Sequence, residues 1–161
     1  MFTQTQFQTL FAYHWHVTWQ LLEIASKLSE ADYLDNPGYG HGSVHSLFLH
    51  ILRTNRGWRV ALETGQQVPI LPEEEPTDLS TLQSALADEQ AAWQALLQRW
   101  SAAEIEGNVK LTDARGQTAT FPLWRVLQHL VLHGMQHHTE IAQLLTAKGE
   151  SPGDIDFIFF E

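Results

Sequence analysis

Four of the nine histidines in this 161-residue chain fall in one stretch, Leu127-Gln128-His129-Leu130-Val131-Leu132-His133-Gly134-Met135-Gln136-His137-His138-Thr139-Glu140. His129, His133 and His137 are spaced four residues apart. On an α-helix a step of four turns a side chain by only about 40° and carries it one turn along, so these imidazoles form a single stripe. Glu140 returns to the same stripe. Imidazoles at i and i+4 can reach one metal ion from the same side. Two ligands make a weak site, and a third must come from elsewhere. His50, in Ser46-Leu47-Phe48-Leu49-His50-Ile51-Leu52, is the best candidate. The residues alone leave two readings open: a metal site, or a core of hydrogen-bonded histidines.

These side chains need long helices to hold them. Phe7, Leu10, Phe11, His14, Thr18, Leu21, Leu22, Ala25 and Leu28 recur at helical spacing and predict a first helix over about 4–27. His14 lies on its apolar stripe and points inward, either as a core histidine or as a wall of the pocket. His16 projects to the polar side. A connector rich in turn residues, Asn36-Pro37-Gly38-Tyr39-Gly40, follows. His41 and His45 flank the start of the next helix and are expected to be solvent-exposed, with little weight as ligands. Ser43 caps a second helix over about 44–63, which Gly65 ends. Residues 66–77 read as a loop with Pro69, Pro72, Pro76 and a solvated acidic run, Glu73-Glu74-Glu75. A third helix, capped by Asp78 or Ser80, runs to about Ala103, with Asp88 and Glu89 expected to face solvent. Residues 106–121 read as a short hairpin around Asp113-Ala114-Arg115-Gly116. The fourth helix runs from about Pro122 to Lys148 and carries the histidine stripe. The apolar tail after Gly149 should pack on the bundle or on a second subunit.

The pattern predicts an all-α protein: a four-helix bundle with a short β-hairpin-like insertion before the last long helix, forming one domain over 1–161. A formal net charge of −10 argues against nucleic acid and anionic membrane as partners. No apolar run reaches the roughly 18–20 residues of a membrane helix. Residues 1–6 lack the basic and apolar regions of a signal peptide, so the expected location is the cytoplasm. The chain has no cysteine. Any metal must therefore be held by His, Asp or Glu, and a thiol, if the chemistry uses one, must arrive with a substrate.

Beyond these patterns the chain resembles the DinB/YfiT-like superfamily of four-helix-bundle metalloenzymes. The resemblance runs through Tyr13-His14-Trp15, Gly42-Ser43-Val44, Leu49-His50-Ile51, the stretch from His129 to His137, Lys148-Gly149, and Pro152 to Asp156-Phe157. It implies a metal triad of His50, His133 and His137, and leaves His129 one turn away beside the site. Many members carry Arg-Gly-Gln after the last ligand, where this chain has His138-Thr139-Glu140. Glu140 then becomes a candidate for supporting His137 or acting as a base, with His129 as a second candidate and His14 and Gln136 as pocket residues. Three imidazoles leave a coordination position open. Zinc or nickel suits them first, and iron or manganese is compatible with the ligand type. The resemblance implies thiol S-transferase, thiol-dependent isomerase or hydrolase chemistry on a small molecule, with a low-molecular-weight thiol as a partner and a homodimer as the expected assembly. The rival expectation is a non-catalytic, stress-related bundle whose histidines or metal are structural.

Overall fold

The computed structural model describes residues 3–67, 76 and 78–161. Most of the loop expected over 66–77, including Glu73-Glu74-Glu75, lies outside the described residues. The elements are α1 (Gln4–Ala25), α2 (Glu30–Leu34), α3 (Val44–Thr64), α4 (Leu79–Arg99), α5 (Ala102–Glu106), β1 (Asn108–Thr112), β2 (Thr118–Pro122) and α6 (Leu123–Ala147). A 3-10 turn covers Phe157–Phe159 in the tail.

Three of the four long helices start where side chains can satisfy their free N–H groups, while α6 follows Pro122 with no side-chain cap. Thr3 and Gln6 form a reciprocal capping box at α1. Ser43 accepts from Ser46 N at α3, and Asp78 accepts from Thr81 N at α4. Gly65 closes α3, its N–H bonding to Ala61 O at 2.8 Å. Two short helices escaped the pattern reading. Ser29 caps α2, which lies in the expected connector. Trp100 turns extended, and Ser101 with Glu104 opens α5 through a second capping box, so the third long helix ends at Arg99 rather than near Ala103.

α1 packs against α4 and α6, and α3 packs against the same two helices. The successive long helices α1 and α3 therefore sit diagonally across the bundle, with α4 and α6 as the neighbours they share. Phe7, Phe11, Leu21, Leu47, Phe48, Ile51, Leu86, Trp93, Leu127 and Ile141 are among the side chains that fill the space between them. β1 and β2 pair antiparallel, with Lys110 opposite Thr120. Asp113 Oδ1 accepts from Arg115 N at 2.9 Å and Gln117 N at 2.8 Å, which closes the turn. The hairpin is tied to the end of α3 by Thr112 N–H to Gly65 O at 2.9 Å.

Polar contacts set how the helices meet. Glu89, expected to face solvent, is instead 2% exposed. Arg59 of α3 grips it with two parallel bonds, Nε to Oε1 at 2.7 Å and Nη2 to Oε2 at 2.9 Å. Arg56 adds a contact at 3.6 Å. Helical period alone could not find this, because the partner arginines lie on another element. The tail packs on α1: Gln20 Nε2 donates to Pro152 O at 2.9 Å, and the Tyr13 hydroxyl donates to Ile155 O. Phe157, Ile158 and Phe159 remain exposed. Among the described residues no helix is long and apolar enough to cross a membrane.

Removing one partner of a buried ion pair strands the other charge. Arg59→Ala should lower stability by about 3 kcal/mol in urea titration. A loss below about 1 kcal/mol would mean that Arg56 and water suffice for Glu89.

Candidate metal centre

α3 and α6 lie side by side, and their facing residues bring His50, His133 and His137 together. The Nε2 atoms of His50 and His133 are 3.0 Å apart, and those of His133 and His137 are 3.1 Å apart. The i, i+4 spacing on α6 supplies the second contact, while the packing of α3 on α6 supplies the first. His137 is buried, whereas His50 and His133 are partly open.

The protons can be traced. His137 Nδ1–H donates to Glu140 Oε2 at 3.1 Å, from one helical turn away. A neutral His137 then presents its Nε2 lone pair to His133. His133 Nε2 faces two such nitrogens, and a neutral ring has at most one proton to give there. Burial first, then the neighbouring imidazoles, pushes His50 and His133 each down to about 4. Both are thus neutral near pH 7, the form that ligates metal. Nitrogens bound at about 2.0–2.1 Å to a tetrahedral ion stand about 3.3 Å apart, close to the spacing seen here. The donor set fits a divalent cation.

The other candidates fall elsewhere. His129 is exposed and sits one turn below, its ring 5.7 Å from that of His133 and 5.9 Å from Trp58. Gln136 is exposed and does not line the cavity beside the cluster. His14, a candidate pocket residue, is 2% exposed and belongs to the core. Asn55 Nδ2 lies 3.4 Å from its Nε2. Its Nδ1 and Cε1 press against the backbone of α6 at Gly134, where a Cβ would overlap them. Gly134 thus lets α1 approach α6 beside His133. His138 is also buried. It donates Nε2–H to Thr18 Oγ1 at 2.8 Å, and Thr18 donates in turn to His14 O at 2.9 Å. His14 and His138 thus lie side by side inside the bundle, their ring centroids 5.0 Å apart. Burial holds His14 at about 3 and His138 well below its ordinary value.

His41 was given little weight as a loop residue. It is exposed, but its ring lies 4.3 Å from that of His50 and 4.7 Å from that of His137. His41, His50 and His137 each offer a ring nitrogen, the three lying within 4.8 Å of one another. The signal was the run of glycines around it, Gly38, Gly40 and Gly42, which lets the chain fold back over the first turns of α3. A cavity of about 220 Å³ adjoins the cluster, lined by Tyr39, His41, Leu47, Glu140, Gln143 and Leu144 among others.

Fold and site together define a four-helix bundle with imidazoles from two helices meeting at an accessible edge of its core. The family model of the DinB family matches residues 1–161, and the chain belongs to that family. The structure is similar to YfiT from Bacillus subtilis, "a probable metal-dependent hydrolase with an unusual four-helix bundle topology". The TM-score is 0.73 at 16% identity, covering 94% of this chain and 92% of that one. It is also similar to YjoA, a DinB-like protein from Bacillus subtilis, with a TM-score of 0.68 at 20% identity over 91% of this chain and 94% of that one. Among curated proteins no sequence match is found.

Two outcomes follow from this packing. Gly134→Ala should cost about 1–3 kcal/mol, since neither His14 nor the helix can yield freely; an unchanged urea midpoint would contradict the close approach. The pH profile of the metal-free protein should slope. His14 and His138 have folded-state values below their ordinary 6.5, so below that pH the unfolded chain binds protons that the folded chain refuses. Stability then falls with acidification, by about 1.4 kcal/mol per pH unit for each such group. Melting temperatures should drop between pH 7 and pH 5, and a flat profile would contradict a neutral buried pair.

Proposed function

We propose that this protein is a metal-dependent enzyme acting on a small molecule, with a divalent cation held by His50, His133 and His137. The observation that carries the reading is the convergence of three imidazole nitrogens with Glu140 fixing the back of one of them. Zinc or nickel suits the nitrogen donors best, with iron or manganese also compatible. When bound, such an ion supplies a Lewis acid that polarises an oxygen or sulfur atom of the substrate.

The side chains do the rest. Glu140 fixes the tautomer and orientation of His137, as carboxylates do behind ligating histidines. It also lines the adjoining cavity. There its carboxylate is placed to take the proton that a thiol or a water gives up. With no cysteine in the chain, a thiol would come from a low-molecular-weight cosubstrate. Family membership and the description of YfiT support hydrolase chemistry, and thiol S-transfer or thiol-dependent isomerisation belongs to the same reading. The non-catalytic alternative draws on His14 and His138, which do fill the core as hydrogen-bonded histidines. A homodimer, with the exposed tail side chains against a second copy, is part of the proposal.

Metal analysis of untagged protein is the test. The wild type should carry a divalent ion that both His50→Ala and His133→Ala lose. Full occupancy in both variants would remove this reading. Because His50 and His133 are neutral already, neither should limit loading between pH 8 and pH 6, and their protonation should oppose it only under stronger acid.

A further inference from the structure

His41 reaches the cluster from a different element, and the three-histidine reading leaves it without a role. Its ring stacks on His50 with an interplanar angle of 19° and meets His137 edge-on at 88°. Among the described residues no hydrogen bond ties that ring to a partner. Its backbone runs between Gly40 at φ +60 and Gly42 at φ +91. Both lie in the left-handed region, which glycine enters at no steric cost. A side chain at Gly40 would meet nothing within 4 Å, so the loop stands clear of the bundle there.

The stems of this loop are held. Lys148 Nζ donates to Asp35 Oδ2 at 2.8 Å, and His45 Nδ1 lies 3.1 Å from the Tyr33 hydroxyl. Between them, Gly38 N donates to Asn36 Oδ1 at 2.9 Å and Gly42 N to Tyr39 O at 3.3 Å, both bonds within the loop. The cavity beside the cluster has His41 on one wall and Glu140 on another. His133 is not among the residues that line it.

We infer that His41 is a displaceable fourth ligand. It closes the coordination of a cation held by His50, His133 and His137, and a guest from the cavity must turn it out. The inference rests on the metal reading above and deepens it. An exposed imidazole on a glycine-flanked loop is a weaker competitor than one fixed in a helix, because ordering the loop costs entropy. It still excludes weak donors such as a neutral carbonyl oxygen. The guests admitted are those that present an anionic sulfur or oxygen donor, with Glu140 beside the cavity to receive the proton lost.

Cobalt(II) is the probe, since its visible spectrum reports the number and type of donors. The untagged full chain would be titrated with cobalt(II) alone, then with azide as a monodentate anion. His41→Ala should bind cobalt at least about tenfold more weakly, as losing a ligand should cost no less than losing a residue that merely orients one. Its spectrum should change, and added imidazole should restore the wild-type spectrum. It should take azide more tightly than the wild type, having nothing to displace. If His133→Ala loses cobalt while His41→Ala keeps the wild-type spectrum, cobalt affinity and azide affinity, the role of His41 is overturned and the metal reading stands. If the wild type takes up no cobalt, both are overturned. The exposed position of His41 makes unfolding of the variant an unsound excuse, and its melting curve checks that directly.

Discussion

Neutral imidazoles that turn lone pairs toward one another repel. At separations of 3.0 and 3.1 Å, both contacts among His50, His133 and His137 run through the one Nε2 of His133, and with the Nδ1 proton of His137 given to Glu140 they cannot both be full hydrogen bonds. Such a cluster is held only where the surrounding packing dictates it or where a cation relieves it. The packing here is strong. α6 touches both α1 and α3, and its inner face is apolar above and below the histidines. The cluster therefore sits on rigid elements, which is what a preorganised site requires.

What fixes the position of α6 is partly polar. On one side Gly134 admits His14 of α1, and His138 reaches Thr18 of the same helix. On the other, α3 is pinned to α4 by the Arg59–Glu89 pair. Burying them costs desolvation; the Arg59–Glu89 bonds offset it for that pair, while His14 and His138 each keep one bonded nitrogen and leave Nδ1 without a partner. Their consequence is register: a shift of α6 by one residue would move Gly134 off His14 and His133 off His50 together. The site and the internal histidine pair are thus two faces of one helix packing, one open to the cavity and one closed.

Much of this could be read from the chain. Apolar residues at helical spacing marked all four long helices; Ser43 and Gly65 marked the ends of α3, and of the two caps offered for α4, Asp78 or Ser80, the structure uses Asp78. Four-residue spacing placed His133 and His137 on one stripe. His50 stood out as the best third candidate from the residues, but the choice of His133 and His137 over His129 needed the family resemblance, since nothing local says which turns of two helices adjoin. Two short helices were overlooked although their caps were visible, Ser29 before Asp32 and Ser101 before Glu104. Glu89 was misplaced because its burial depends on arginines thirty residues and more away in sequence. His41 was undervalued for a related reason: loop histidines are exposed as a rule, and only a folded-back glycine turn brings this one against His50. His14 sits on an apolar stripe that reaches the core rather than the cavity, a distinction of helix azimuth too fine for sequence periodicity.

X-ray absorption at the metal edge of zinc-loaded, untagged protein tests the central claim most directly. The account predicts a shell of nitrogen neighbours at about 2.0–2.1 Å with the outer scattering of at least three imidazole rings. A shell of oxygen donors without imidazole scattering would place the ion on surface carboxylates and contradict it.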